Sequence, residues 1–224
     1  MGLTPRPERI EFLGKHEGGT IYVLASGASL NHIDPAFFAD KTVVAVNYIG
    51  EEFALPSFYM CSHYHLDAIA LSSRRPDVTI VVPEFDQGGT QLADHPPEGR
   101  NVWSFPTNAQ QYGGFNPELH WPKDDHALVV GPTSLHFTMH FAAYLLGYAG
   151  TIILVGADCG TLDGAENRSG HDRGIGSPWD VWARDLPRVA DRLRSMGVNV
   201  YSLNPFVNFA LEGHSYWSPA GTVN

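Results

Sequence analysis

Six short apolar, β-rich runs constrain this chain more than any other feature: residues 20–25, 42–46, 57–61, 78–82, 151–155 and 198–202. A strand with one wet face alternates apolar and polar residues, whereas Thr42-Val-Val-Ala-Val46 and Thr151-Ile-Ile-Leu-Val155 are apolar on both faces. That pattern belongs to parallel strands covered on both sides. Helical segments separate the runs, at residues 31–40, 63–73, 132–146 and 179–196. Asp34 is placed to cap the first of them, with Pro35 at its first helical position. The alternation predicts an α/β domain with a mostly parallel sheet and helices on both faces. A length of 224 residues suits a single domain spanning 1–224.

Two stretches interrupt this order. Residues 84–127 and 160–178 are rich in Gly, Asn, Asp and His, and only 101–105 within them resembles a strand. Irregular segments of that length inside a compact domain serve as lids or binding loops, so a loop-rich lid insertion is expected. Residues 203–224 read as an irregular tail.

Charge narrows the partners. The chain carries a net charge of −10 and no basic run longer than Arg74-Arg75. Phosphate neutralisation along a nucleic acid needs clustered Lys and Arg, so nucleic acid is not an expected partner. Any anionic ligand must be held by backbone N–H groups, helix N-termini and isolated side chains. No apolar stretch reaches the roughly 18 residues of a membrane helix. The first residues lack the apolar core of a signal peptide, and Cys61 and Cys159 are too few for a disulfide framework. A cytoplasmic protein without a membrane span is expected; the sequence leaves a homo-oligomer open.

Polar clusters close several of the strands: Ser26-Gly-Ala-Ser29, Asn47, Ser62-His63 and Asp158, while Thr133-Ser134 opens the third helix. In open α/β sheets ligands bind outside the carboxyl ends of the strands. Backbone N–H groups at such turns and helix starts suit a phosphate. The first turn has one glycine and no following Lys-Ser/Thr, so it is neither a Walker loop nor a dinucleotide fingerprint. A mononucleotide is the expected ligand class.

The order of these motifs resembles two related groups, the bacterial family-42 sialyltransferases and the 6-hydroxymethylpterin diphosphokinase (MptE)-like family. Ala25-Ser26-Gly27-Ala28-Ser29-Leu30 looks like their glycine–proline–serine–leucine turn, with Ser26 where the sialyltransferases usually have Asn and Ala28 in place of Pro. Val46-Asn47 is similar to their post-strand Asn, and Pro132-Thr133-Ser134 to their Thr-Ser segment. Leu146-Gly147-Tyr148 followed by Val155-Gly156-Ala157-Asp158 resembles their Leu-Gly-Tyr and Val-Gly-x-Asp signature, and Ser202-Leu203-Asn204-Pro205 their late Leu-Ser-Pro element. The resemblance spans roughly residues 20–205. It implies a single Rossmann-like domain and a glycosyltransferase that moves a sugar from a CMP-like donor to a small-molecule or glycan acceptor. Ser26, Gly27, Ser29, Asn47, Thr133, Ser134 and Asp158 would hold the nucleotide or nucleotide-sugar. His171 is the preferred catalytic base and His214 the second. No cofactor or metal is obligatory in that chemistry.

Three alternatives compete. An MptE-like diphosphotransferase would need Mg²⁺, with Asp158 and Asp163 as ligands. A metal-dependent hydrolase could be built on His63-Tyr-His65-Leu-Asp67, whose spacing resembles that of dinuclear sites. A nucleotide-binding module without catalysis is the third. His136 and His140 share a helix face and read as core histidines. Arg168 and Arg173 could clamp a leaving phosphate; Arg184, Arg188, Arg192 and Arg194 read as a solvated helix face. Both cysteines read as buried and inert.

Overall fold

The computed structural model describes residues 9–62, 65–83, 101–105, 121–122, 127–129, 133–158 and 179–203. Seven strands form one sheet: β1 (Thr20–Leu24), β2 (Thr42–Val46), β3 (Tyr59–Cys61), β4 (Thr79–Pro83), β5 (Val102–Phe105), β6 (Gly150–Val155) and β7 (Val198–Ser202). Their order is β5-β4-β3-β2-β1-β6-β7, and every pairing is parallel. The helices are α1 (Ile49–Glu52), α2 (His65–Arg74), α3 (Ser134–Leu145) and α4 (Trp179–Ser195).

The expected two-sided burial is met. Ile21, Val23, Val44, Val46, Cys61, Val81, Phe105, Ile152 and Leu154 point to one face, where they pack with α3 and with Leu186, Val189 and Leu193 of α4. Leu24, Val43, Ala45, Met60, Ile80, Val82 and Val155 point to the other, against Leu30, Phe38, Ile49, Phe53, Ala68 and Leu71. The register makes the alternation continuous, since Val23 pairs with both Val44 and Leu154. At about 1.5–3 kcal/mol for each fully buried large apolar side chain, these two cores dominate the stability. The domain is Rossmann-like.

One local expectation needs correction. The helix at 31–40 is replaced by two 3₁₀ turns, Ala28–His32 and Pro35–Phe38. The cap itself is as read, because Asp34 Oδ1 accepts the Ala36 N–H at 2.9 Å. Pro35 separates the turns: the residue before a proline is pushed out of the helical region, and Asp34 lies extended at φ −69°, ψ 126°. The one-turn helix α1 also had no counterpart in the sequence reading.

The expected lid at 84–127 lies outside the described residues apart from β5 and residues 101, 121–122 and 127–129. Residues 160–178 and 204–224 lie outside them entirely. Among the described residues, no helix is long and apolar enough to cross a membrane.

Candidate functional site

The strand order sets where a ligand can enter. The chain starts centrally at β1, steps outward through β2 to β5, then returns to β6 on the other side of β1. Connections therefore diverge between β1 and β6, and the crevice outside their carboxyl ends is the topological switch point.

At that point the two strands continue as a ladder of polar contacts. Ala25 N–H donates to Val155 O at 2.9 Å, and Gly27 N–H to Gly156 O at 2.7 Å. One step further, Ser29 N–H donates to Asp158 Oδ2 at 2.7 Å and Ser29 Oγ–H to Asp158 Oδ1 at 2.5 Å. Asp158 is only 2% exposed. Burial pushes its carboxyl pKa up, against the two Ser29 hydrogen bonds and the charge of His32, which hold it down. Ser29 and Asp158, both expected to hold the nucleotide, are thus joined to each other. The carboxylate takes the turn N–H that a phosphate would otherwise use.

Gly27 is required by this clamp. A Cβ there would meet the Gly156 backbone oxygen and stand 2.5 Å from Asp158 Cγ and Oδ2. Gly27→Ala should therefore force the turn away from both Gly156 and Asp158, a displacement costing about 1–3 kcal/mol. Thermal unfolding should show a melting temperature lower by several degrees, and an unchanged one would refute the clamp.

Asn47 ends β2 in the left-handed region, at φ 52°, which Asn tolerates better than most residues. Its N–H donates to Cys61 O at 2.8 Å. Its side-chain Oδ1 is buried with no hydrogen-bond partner among the described residues. Ser26 is half-buried beside the same edge.

Thr133 and Ser134 reach that edge through α3. At the helix's far end, Tyr144 O and Leu145 O accept N–H groups of Gly14 and His16, residues that precede β1. The last turn of α3 therefore sits at the amino edge of the sheet and its first turn at the carboxyl edge. Thr133 caps that first turn, its Oγ1 accepting the Leu135 N–H at 3.2 Å. Thr133 is half-buried and Ser134 buried. Ser26, Gly27, Ser29, Asn47, Thr133, Ser134 and Asp158 all lie along one edge.

The histidines of α3 are buried and neutral. His140 Nδ1 accepts the Val129 N–H at 2.8 Å, so its proton is on Nε2, which donates to the Tyr148 hydroxyl at 3.0 Å. Burial lowers its pKa to about 3. His136 Nδ1 lies 2.8 Å from Thr133 Oγ1. Burial lowers its pKa to about 4, while Asp185 works in the opposite direction. Both histidines are buried in the core as expected; the Thr133–His136 contact was not expected, although the i, i+3 spacing at a helix start could have suggested it.

The remaining expectations divide. His171, His214, Asp163, His63, Cys159, Arg168 and Arg173 lie outside the described residues. His65 and Asp67 fall on the first turn of α2. Among the described residues no group of three His, Cys, Asp or Glu could hold a metal. Burial pushes the Cys61 thiol far up, so it is inert as read. The arginines of α4 do more than face solvent. Arg188 meets Asp185 at 3.5 Å, Arg194 meets Asp191 at 2.9 Å, and Arg192 lies over the Trp121 ring.

Fold and edge together define a Rossmann-like α/β domain with a polar carboxyl edge at the β1/β6 switch point. No protein-family model, curated protein or solved structure matches the chain.

Proposed function

We propose that this edge binds a nucleotide or nucleotide-sugar donor, and that the protein is a sialyltransferase-like glycosyltransferase using a CMP-like donor. The observation that supports it is the convergence, on one edge at the switch point, of segments that are far apart in the chain. Ser29 and Asp158 form the clamp beneath the site, while Ser26, Asn47, Thr133 and Ser134 contact the donor. Asn47 Oδ1 is an acceptor suited to an N–H or O–H of the ligand. His171 takes the acceptor's proton, with His214 as the second candidate. The nucleotide phosphate leaves on hydrogen bonds from backbone N–H groups and hydroxyls, with no obligatory metal. The acceptor is a small molecule or glycan in the cytoplasm.

The Mg²⁺-dependent diphosphotransferase is less well supported. Both oxygens of Asp158 already accept hydrogen bonds from Ser29, which leaves a poor ligand for a cation that demands octahedral oxygen geometry.

Thermal unfolding in the presence of CMP, UDP, ATP and their sugar conjugates tests the proposal. A ligand at 100 times its dissociation constant stabilises by about 2.7 kcal/mol, or roughly 5–10 °C in a domain of this size. CMP or a CMP-sugar should give that rise, and Asn47→Leu should abolish it. Stabilisation only by ATP with Mg²⁺ would favour the diphosphotransferase, and no rise with any nucleotide would end both.

A further inference from the structure

Among the described residues, one half of the sheet is covered on a single side. The chain steps from β1 to β5 in one direction and from β6 to β7 in the other. Right-handed crossovers place the covering elements of the two halves on opposite faces. Thus α3 and α4 pack on the face of Ile21, Val23, Ile152 and Leu154. The opposite core draws on Leu30, Phe38, Ile49, Phe53, Ala68 and Leu71, and holds no side chain of α3, α4 or β7.

β7 turns Val198 and Val200 into the first core, so Tyr201 and Leu203 point to the second face. The register sets Tyr201 beside Ile153, and Ile153 beside Tyr22. Tyr22 and Ile153 are only partly buried against the second core, and Tyr201 is half-buried. Phe37 meets the Tyr22 ring edge-on at 5.6 Å. Leu203 is 39% exposed and Phe37 44%. An apolar strip is thereby left open on a parallel sheet, whose strands are ordinarily buried on both faces.

The described chain leaves the sheet at Leu203, on the border of this strip. Residues 204–224 lie outside the described residues, and after Asn204-Pro205 they continue as Phe-Val-Asn-Phe-Ala-Leu at 206–211, five apolar residues of six and no charge. The other long segments outside the described residues, 84–100, 106–120 and 159–178, are dominated by Gly, Pro and polar residues and hold no run as apolar. Reach is sufficient. Adjacent strands lie about 4.8 Å apart, so Tyr201 to Tyr22 is about 10 Å. Three extended residues span up to about 10 Å, which brings Phe206 from Leu203 onto the strip.

We propose that residues 206–211 fold back from β7 and dock on this strip, over Tyr201, Ile153 and Tyr22 and against Phe37, with Phe206 and Phe209 as the anchors. Water is expelled from both apolar surfaces as they meet. The docked segment closes the second face of β6 and β7 and holds β7, an edge strand, in place. No nucleotide is needed for it.

Amide hydrogen exchange of the full chain tests this. Residues 206–211 should exchange about 100-fold more slowly than an unfolded chain. Leu203→Asp and Tyr201→Ser change the strip and leave the segment intact. Each should remove most of that protection while the amides of β1 and β2 stay protected, which separates undocking from global unfolding. In the parent, the Ile153 methyl should show a nuclear Overhauser effect to the ring of Phe206 or Phe209. Its absence overturns the docking even where a variant fails to fold. Fast exchange across 206–211 in the parent overturns it as well, as does protection that both strip variants leave unchanged. Protection that grows with protein concentration, or Ile153 contacts seen only between differently labelled chains, assigns the strip to a second copy and overturns the proposal.

Discussion

Asp158→Ala is expected to lower the melting temperature by roughly 6–12 °C. The substitution removes both acceptors of Ser29 at once and leaves a buried N–H and hydroxyl unsatisfied at the end of β1. Orphaned buried donors cost about 1–3 kcal/mol each. The relief of burying a charge offsets part of that, leaving a net loss of about 3 kcal/mol. A domain of this size loses about 2–4 °C per kcal/mol. Ser29→Ala removes only the 2.5 Å bond from Oγ and should cost about half as much. Scanning calorimetry of the two variants checks the ranking, and an Asp158→Ala variant as stable as its parent contradicts the clamp.

Acid should unfold the protein through His136 and His140. In the folded state they protonate only near pH 4 and pH 3, whereas an unfolded histidine titrates near pH 6.5. Below about 6.5 the unfolded chain therefore binds more protons, and stability falls as pH falls. Each histidine contributes a slope of about 1.4 kcal/mol per pH unit in that window, so the pair removes about 5 kcal/mol by pH 4.5. Asp158 acts with the opposite sign. Its folded pKa is raised, so its contribution is fully present below the unfolded carboxylate value and is lost as pH rises. Urea unfolding at pH 7 and pH 4.5 reads the balance. His140→Asn can keep the Val129 N–H bond without a titrating ring and should remove about half of the fall. An equal fall in parent and variant would contradict the assignment.

What was legible in the sequence follows from range. The strands and their two-sided burial show in local composition, because Thr42–Val46 and Thr151–Val155 are apolar at every inward position. The Asp34 cap is equally local, since the bond spans two residues. The turn it caps ended early because Pro35 restrains its neighbour while propensity alone would continue the helix. Six polar residues and Gly27 along one edge could be guessed from strand ends and a helix start, because parallel strands present all their carboxyl ends on one side. That Ser29 and Asp158 bond to each other could not be. They are separated by 129 residues, and their meeting depends on β6 returning beside β1, a pairing order that no local pattern encodes. Asp185 near His136 is hidden for the same reason, since it depends on how α4 packs on α3.

The most direct test of a nucleotide site at the switch point is a CMP titration of ¹⁵N-labelled protein, followed by amide chemical shifts. Binding there predicts saturable shifts of Gly27–Leu30, Asn47, Thr133, Ser134 and Gly156–Asp158 with a single dissociation constant, while Gly14–Gly19 at the amino edge stay still. Shifts confined to the amino edge or to Arg74 and Arg75, or none at millimolar CMP, would contradict it.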